Sequence, residues 1–179
     1  MRTVASFCFG RMLLNAIHAM GWKARDFAVT GIDDKTYSLA DVRGPKGTLV
    51  VFICNHCPYV KASVNRIVAE ANALRAIGIG TIAIMPNDTD AYPEDSFDNM
   101  KAFAAQHGLT FPYAIDPTQE IARAYVAQCT PDFFGFNAQR SGSLPIGAHA
   151  LHLRRDRRVW LVLSPHRCVR WPLRQRQRQ

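Results

Sequence analysis

The sequence predicts an α/β fold: a central, mostly parallel sheet flanked by helices, with an N-terminal β-hairpin and an atypical C-terminus. Three observations predict it. Short apolar runs such as Leu49 to Ile53 alternate along the chain with segments of helical periodicity. Those runs lack polar alternation, as do strands covered on both faces of a sheet. Strand, helix, strand, helix, strand in that order demands parallel pairing through right-handed crossovers.

The elements follow in order. "AVTGIDDKTYSLADVRG" predicts a hairpin, with a Gly-Ile-Asp-Asp turn between two short strands, the second around Thr36 and Tyr37. Leu49 to Ile53 is a buried strand. From Val60 the apolar positions Val60, Val64, Ile67, Val68, Ala71 and Leu74 fall on one helical face, and Gly78 and Gly80 close that helix. Thr81 to Met85 is the next strand, "PNDTDAYPEDS" a loop, and "FDNMKAFAAQHG" a helix stopped by Gly108. "FPYAID" is strand-like. "DPTQEIARAYV" opens a helix, with Asp116 as N-cap, Pro117 at the first helical position and Gln119 placed for a capping box. Asp132 to Phe136 gives one more strand. Beyond Asn137 the pattern fails except for a strand candidate from Val159 to Ser164, and "RQRQRQ" is low-complexity.

At 179 residues, 48% hydrophobic and 20% charged, the chain suits one globular domain with its own core. No window approaches the roughly 18 apolar residues of a membrane span, so no membrane partner is expected. The net charge of +8 is unevenly placed: residues 139–179 hold ten arginines against Asp156 alone, leaving twelve bases and thirteen acids before them. Residues 1–22 therefore read as a poorly ordered leader, 23–138 as the folded domain and 139–179 as a basic, Arg-rich tail. The leader carries Arg2 and Arg11 without an acid, which invites a targeting reading, but Arg11 breaks the apolar stretch and no small-residue cleavage site follows. The tail would adhere to polyanions without specific nucleic-acid recognition. Five scattered cysteines, Cys8, Cys54, Cys57, Cys129 and Cys168, are poor material for a secreted disulfide framework and favour a reducing, cytoplasmic setting.

The chemistry concentrates in "TLVVFICNHCPYVKASV". Strand and helix together place Cys57 at the helix mouth beside Pro58, where unpaired N–H groups and the positive end of the helix dipole converge. Thiolate is the reactive form, and a free cysteine near pKa 8.5 is only about 3% ionised at pH 7. The dipole supplies at most about 2 kcal/mol, enough to bring Cys57 near 7. Any larger effect must come from His56 or from hydrogen bonds to the sulfur. Cys54, at the strand end, supplies the second thiol of a Cys-x-x-Cys pair if Asn55 and His56 fold back to bring the Cα atoms within about 7 Å. This chemistry needs the Cys57 sulfur at the helix's amino end and not sealed away. The plain alternatives are an inert small residue at Cys57, a buried strand-end thiol at Cys54, and a capping or solvent-facing ring at His56.

"VVFICNHCPYVKA", "MPNDTDAYPEDSFDNMKAFAAQHG", "TFPYAIDPTQEIARAY" and "CTPDFFGFN" resemble the thioredoxin-fold, peroxiredoxin-like proteins of the alkyl hydroperoxide reductase/thiol-specific antioxidant group, over about Gly21 to Asn137. The resemblance implies a thioredoxin-like fold and a thiol oxidoreductase with antioxidant or disulfide-exchange activity. Cys57 takes the nucleophile's place and Val60 replaces the second cysteine of a thioredoxin. It also implies a cis peptide at Thr130–Pro131 facing the site, with Cys129 beside it as a second candidate resolving thiol, and Asn55, Pro58, Thr130 and Pro131 as substrate-binding positions. The implied partners are a thiol reductant, a disulfide-containing protein and, more slowly, a hydroperoxide, with no cofactor. Two departures bear on activity. Cys54 and Val50 stand where a peroxiredoxin has Thr and Pro, which removes the hydroxyl that orients a peroxide. After Ala138 the arginine-rich segment replaces an expected strand and closing helix, abruptly enough to suggest a changed reading frame.

Two other functions compete. Zinc would draw on Cys54, His56, Cys57 and Cys129, but a structural site pairs two separated ligand knuckles and only one is present, so no metal is expected. A thioredoxin-fold binding module without turnover would hold a partner through the cis-proline loop.

Overall fold

The structure, a computed structural model, describes residues 20–139, 141–146, 150–153, 159–162 and 169–170. Cys8, Cys168, the first nineteen residues and the terminal "RQRQRQ" lie outside the described residues.

Twelve strands are described: β1 (Met20–Lys23), β2 (Ala28–Gly31), β3 (Thr36–Ser38), β4 (Gly47–Phe52), β5 (Ile79–Met85), β6 (Tyr113–Ile115), β7 (Cys129–Thr130), β8 (Asp132–Asn137), β9 (Ser141–Ile146), β10 (Ala150–Leu153), β11 (Val159–Val162) and β12 (Val169–Arg170). Three α-helices, α1 (Pro58–Ala76), α2 (Phe97–His107) and α3 (Glu120–Ala124), lie between them, with a 3-10 turn at Pro93–Asp95. The main sheet runs β1-β9-β8-β4-β5-β6-β2-β3. β4 sits in its middle, parallel to β5 and antiparallel to β8, so Phe52 faces both Ile84 and Asp132.

The unbroken apolar run of β4 conceals a period of two. Leu49, Val51 and Ile53 join the core beneath α1 and α2, with Val64, Met100 and Phe103. Val50 and Phe52 face the opposite layer, with Ile82, Ile84, Tyr125 and Phe134. Every residue of β4 is buried, as expected of a strand covered on both sides. The aromatic side is ordered edge-on: Tyr125 meets Phe52 and Phe134 at 5.6 and 5.5 Å between ring centroids.

Three expectations change. Parallel pairing is confined to β4-β5-β6; the remaining neighbours in the main sheet are antiparallel. β8 is as apolar as a parallel strand, and its composition carries no trace of its direction. The helix expected from Asp116 starts at Glu120, with Gln119 left-handed at its N-cap. Asp116 is instead buried and still accepts the N–H of Ala122 at 3.0 Å. The strand expected to be lost from the tail is present: β9 pairs with β8 on one side and β1 on the other, so the sheet reaches past residue 138 and back to Met20.

Helix ends explain two local features. Gly108 ends α2 in the left-handed region at φ 61°, as the sequence suggested, while Ser96 accepts the N–H of Asn99 at its start. α3 ends with Val126 in the same left-handed region, at φ 55° and 52% exposed. Its N–H donates to the Arg123 carbonyl, and the next N–H, of Ala127, to that of Ala122, a Schellman pattern in which glycine is the usual occupant. A β-branched residue there costs roughly 1–2 kcal/mol. Val126→Gly is therefore expected to stabilise the domain by about 0.5–1 kcal/mol after the added unfolded-state entropy of glycine. A rise in the thermal midpoint of about 2 °C checks it.

Candidate active site

The site forms where β4 runs out into α1. After Phe52 the chain passes through Ile53 and Cys54, turns at Asn55 and His56, and enters the helix with Cys57 as N-cap and Pro58 at its first position. Proline suits that place because its missing N–H is one the helix start leaves unpaired anyway. The turn is held from a distance by Asp95, in the 3-10 turn after β5. One Asp95 oxygen accepts the backbone N–H groups of Asn55 at 2.7 Å and His56 at 3.2 Å. The other contacts His56 Nδ1 and accepts from Asn87 Nδ2, each at 2.6 Å.

The Thr130–Pro131 peptide is cis. Its loop lies over both sulfurs: Cys54 Sγ is 3.2 Å from the Thr130 hydroxyl, and Cys57 Sγ–H donates to the Thr130 carbonyl at 3.3 Å. Cys54 and Cys57 are both free thiols. Their proton affinities are driven apart. Cys57 is lowered to about 5, chiefly because the Cys54 thiol donates to it, with further help from Thr130 and the Val60 and Tyr59 N–H groups, against the opposing effect of burial. Cys54 is pushed up, first by that same bond to Cys57 and then by burial and the nearby Asp95 charge, with Thr130 opposing. One proton shared on the Cys54 side accounts for both directions.

Several sequence expectations are corrected here. Cys57 is at the helix mouth but has no exposed surface, because the Thr130 loop closes over it. His56 is not what lowers Cys57: its ring turns to Asp95 and stacks on Tyr92 at 4.8 Å between centroids. Asn55, expected to meet substrate, is buried and occupied, accepting from Tyr113 OH at 2.9 Å and donating to the Glu94 carbonyl at 3.1 Å. Cys129 is buried one residue before Thr130, yet it is disulfide-bonded and so offers no thiol to Cys57 in this state. Pro58 is exposed beside the sulfurs, whereas Thr130 and Pro131 are buried.

Cys54 Sγ, a His56 ring nitrogen and an Asp95 oxygen lie within 4.8 Å of one another, a spacing that could hold a metal. Both Asp95 oxygens are already engaged by four N–H or ring partners, and the 2.6 Å contact between His56 and Asp95 is a hydrogen bond, too short for two ligands of one tetrahedral ion. Asp95 is the residue the sequence missed. It lies forty positions downstream in a polar loop, and no local spacing links it to the cysteines.

A dithiol at a helix N-terminus, at the end of a central sheet strand and closed over by a cis-proline loop, defines a thioredoxin-like protein. A family model confirms the class: the chain belongs to the AhpC/TSA family, matched over residues 20–156. Its curated relatives include the thiol-disulfide oxidoreductase ResA of Bacillus thuringiensis (strain Al Hakam), 30% identical over 118 residues, 64% of this chain and 62% of the relative. The chain thus spans under two thirds of the length of the curated relatives it matches. Among solved structures, an uncharacterized conserved protein from Geobacillus kaustophilus superposes with a TM-score of 0.67 at 40% identity, over 77% of this chain and 71% of that one. A secreted disulfide oxidoreductase of Mycobacterium tuberculosis, at 18% identity and a TM-score of 0.55, over 65% of this chain and 79% of that one, shares the fold.

Proposed function

We propose that this chain is a thiol-disulfide oxidoreductase in which Cys57 attacks and Cys54 resolves. The observation that carries it is the pair of free sulfurs meeting under Thr130 with opposite proton affinities: one held as the nucleophile, the other held protonated in reserve. Cys57 thiolate attacks a disulfide, expels one thiolate and keeps the other sulfur in a mixed disulfide. Cys54 then attacks Cys57, expels the second thiolate and closes the Cys54–Cys57 disulfide, which an external thiol reduces again. In the thiolate state the Thr130 carbonyl loses its donor, and this loop is the part that must give way to admit a substrate.

A disulfide-containing protein is the preferred substrate. A hydroperoxide would react more slowly, because no cationic side chain is bonded to Cys57 among the described residues to polarise it. The antioxidant role implied by the family would then be secondary. No described helix is long and apolar enough to cross a membrane. A cytoplasmic setting rests on cysteine usage, and the bonded state of Cys129 is the observation that runs against it.

The test is the rate of Cys57 alkylation against pH. With an apparent value of about 5, Cys57 is expected to react near its plateau rate at pH 6, where a free cysteine is under about 1% ionised. A midpoint at 8.5 or above defeats the proposal. Cys54→Ala, which removes the main donor, should move the midpoint upward, while Cys54→Ser, which keeps a donor, should move it less.

A further inference from the structure

The end of the sheet away from the cysteines carries a cavity of about 190 Å³. β4 and β5 start side by side there, with Thr48 beside Gly80 and Leu49 beside Thr81, while the sulfurs lie beyond the other end of β4. Its walls are the last turns of α1, the first residues of β5, the turn after β3 and the 110–112 segment. At roughly 30 Å³ per molecule the space equals about six waters, so it takes a small molecule and no larger one.

Polar groups of opposite charge meet at this cavity. Arg75 reaches it from α1, and its bonds to the Thr110 carbonyl and to Asn72 Oδ1 are both 3.4 Å, beyond the usual range for a guanidinium with five donors to place. Asp41 reaches it from the turn after β3. Ser38 engages only one Asp41 oxygen, and those bonds hold the carboxyl below its ordinary range and so ionised. Thr81 is only 7% exposed, and its hydroxyl meets no hydrogen-bond partner among the described residues. It stands on the α1 side of β5, in step with Ala83 and Met85, which pack beneath α1. A buried hydroxyl left unpaired costs free energy that nothing else in the fold recovers. Ala71, Phe111 and Pro112 supply an apolar remainder.

We propose that this cavity binds a small apolar α-amino acid, its carboxylate on Arg75 and the Thr81 hydroxyl, its ammonium on Asp41 and its side chain against Phe111 and Pro112. A plain carboxylic acid would face the Asp41 charge unpaired, and a plain amine would face that of Arg75. The inference goes beyond the dithiol chemistry and does not depend on it: five residues of extended chain, about 16 Å, separate Leu49 from Cys54.

Calorimetric titration of the full chain with L-leucine tests it, beside isocaproate, which lacks the ammonium, and isoamylamine, which lacks the carboxylate. Leucine is expected to bind saturably and to raise the thermal midpoint. Each analogue should bind at least about tenfold more weakly, the worth of one hydrogen bond to a charged group. Arg75→Gln and Asp41→Asn should each weaken leucine by a similar factor, and both side chains are exposed, so the fold is spared. Thr81→Val should move two readouts in opposite directions: a higher thermal midpoint without ligand, from loss of the unpaired hydroxyl, and weaker leucine binding. No saturable heat with leucine, isocaproate binding as tightly as leucine, or an affinity unchanged in both charge variants overturns the assignment. Cys57→Ser should bind leucine as the parent does, so failure of the redox reading leaves this result standing.

Discussion

Cys57→Ser is expected to reduce disulfide exchange to the rate of the uncatalysed solution reaction, whereas Cys54→Ser is expected to stop it halfway. The two differ because the two sulfurs do different work. Cys57 is the only described thiol that is both free and driven toward thiolate, and a serine hydroxyl in its place stays protonated at every accessible pH. Cys54 holds its proton, so its loss leaves attack intact and removes resolution. Incubating Cys54→Ser with a disulfide-containing protein should accumulate a covalent adduct that a reducing agent releases. Mass spectrometry should place the adduct on Cys57. An adduct on any other cysteine, or full turnover by Cys57→Ser, would remove Cys57 from the mechanism.

Asp132→Asn is expected to stabilise the protein above neutral pH and to change little in acid. Asp132 opens β8 directly after the cis-proline, nearly sealed from solvent, and burial raises its carboxyl from the ordinary 3.8 to about 7, only partly opposed by the Gln128 and Phe133 N–H groups. The sign follows from linkage. The folded state binds the proton more tightly than the unfolded chain, so this group's contribution is complete below about pH 4 and is lost as pH rises to about 7. Above that, the gap amounts to an order-of-magnitude upper bound of about 4 kcal/mol, reduced by the hydrogen bond that asparagine cannot accept twice. A net gain on the order of 2 kcal/mol in denaturant unfolding at pH 8, shrinking toward pH 4, is the expected pattern. A variant less stable than the parent at pH 8 would mean that the two accepted bonds outweigh the burial of charge.

Local signals were legible and distant ones were not. β4 and α1 could be read because an apolar run followed by a 3.6-residue period leaves few alternatives, and Pro58 marks the boundary within a residue. Gly108 could be read for the same reason. The direction of β8 could not: Phe133, Phe134 and Phe136 are buried whichever way the strand runs. The closure of Cys57 was equally hidden, because the atom that covers it belongs to Thr130, seventy-three residues away. His56 misled because adjacency in sequence suggested a partner in Cys57, while the turn swings its ring toward Asp95. Cys129 was correctly placed beside the cis-proline by family resemblance, but nothing local announced its disulfide.

The flanking of β4 by a full-length neighbour on each side gives the two halves of the site unequal persistence. Amides in such an inner strand exchange with solvent only through large openings, whereas Cys129 and Thr130 are secured by a two-residue ladder to Val169 and Arg170. Deuterium uptake should therefore arrive early across residues 128–131 and late across 48–52. Entry to the sulfur is thus governed by the side with the shorter ladder, while the nucleophile's own footing stays put through each breath of the lid.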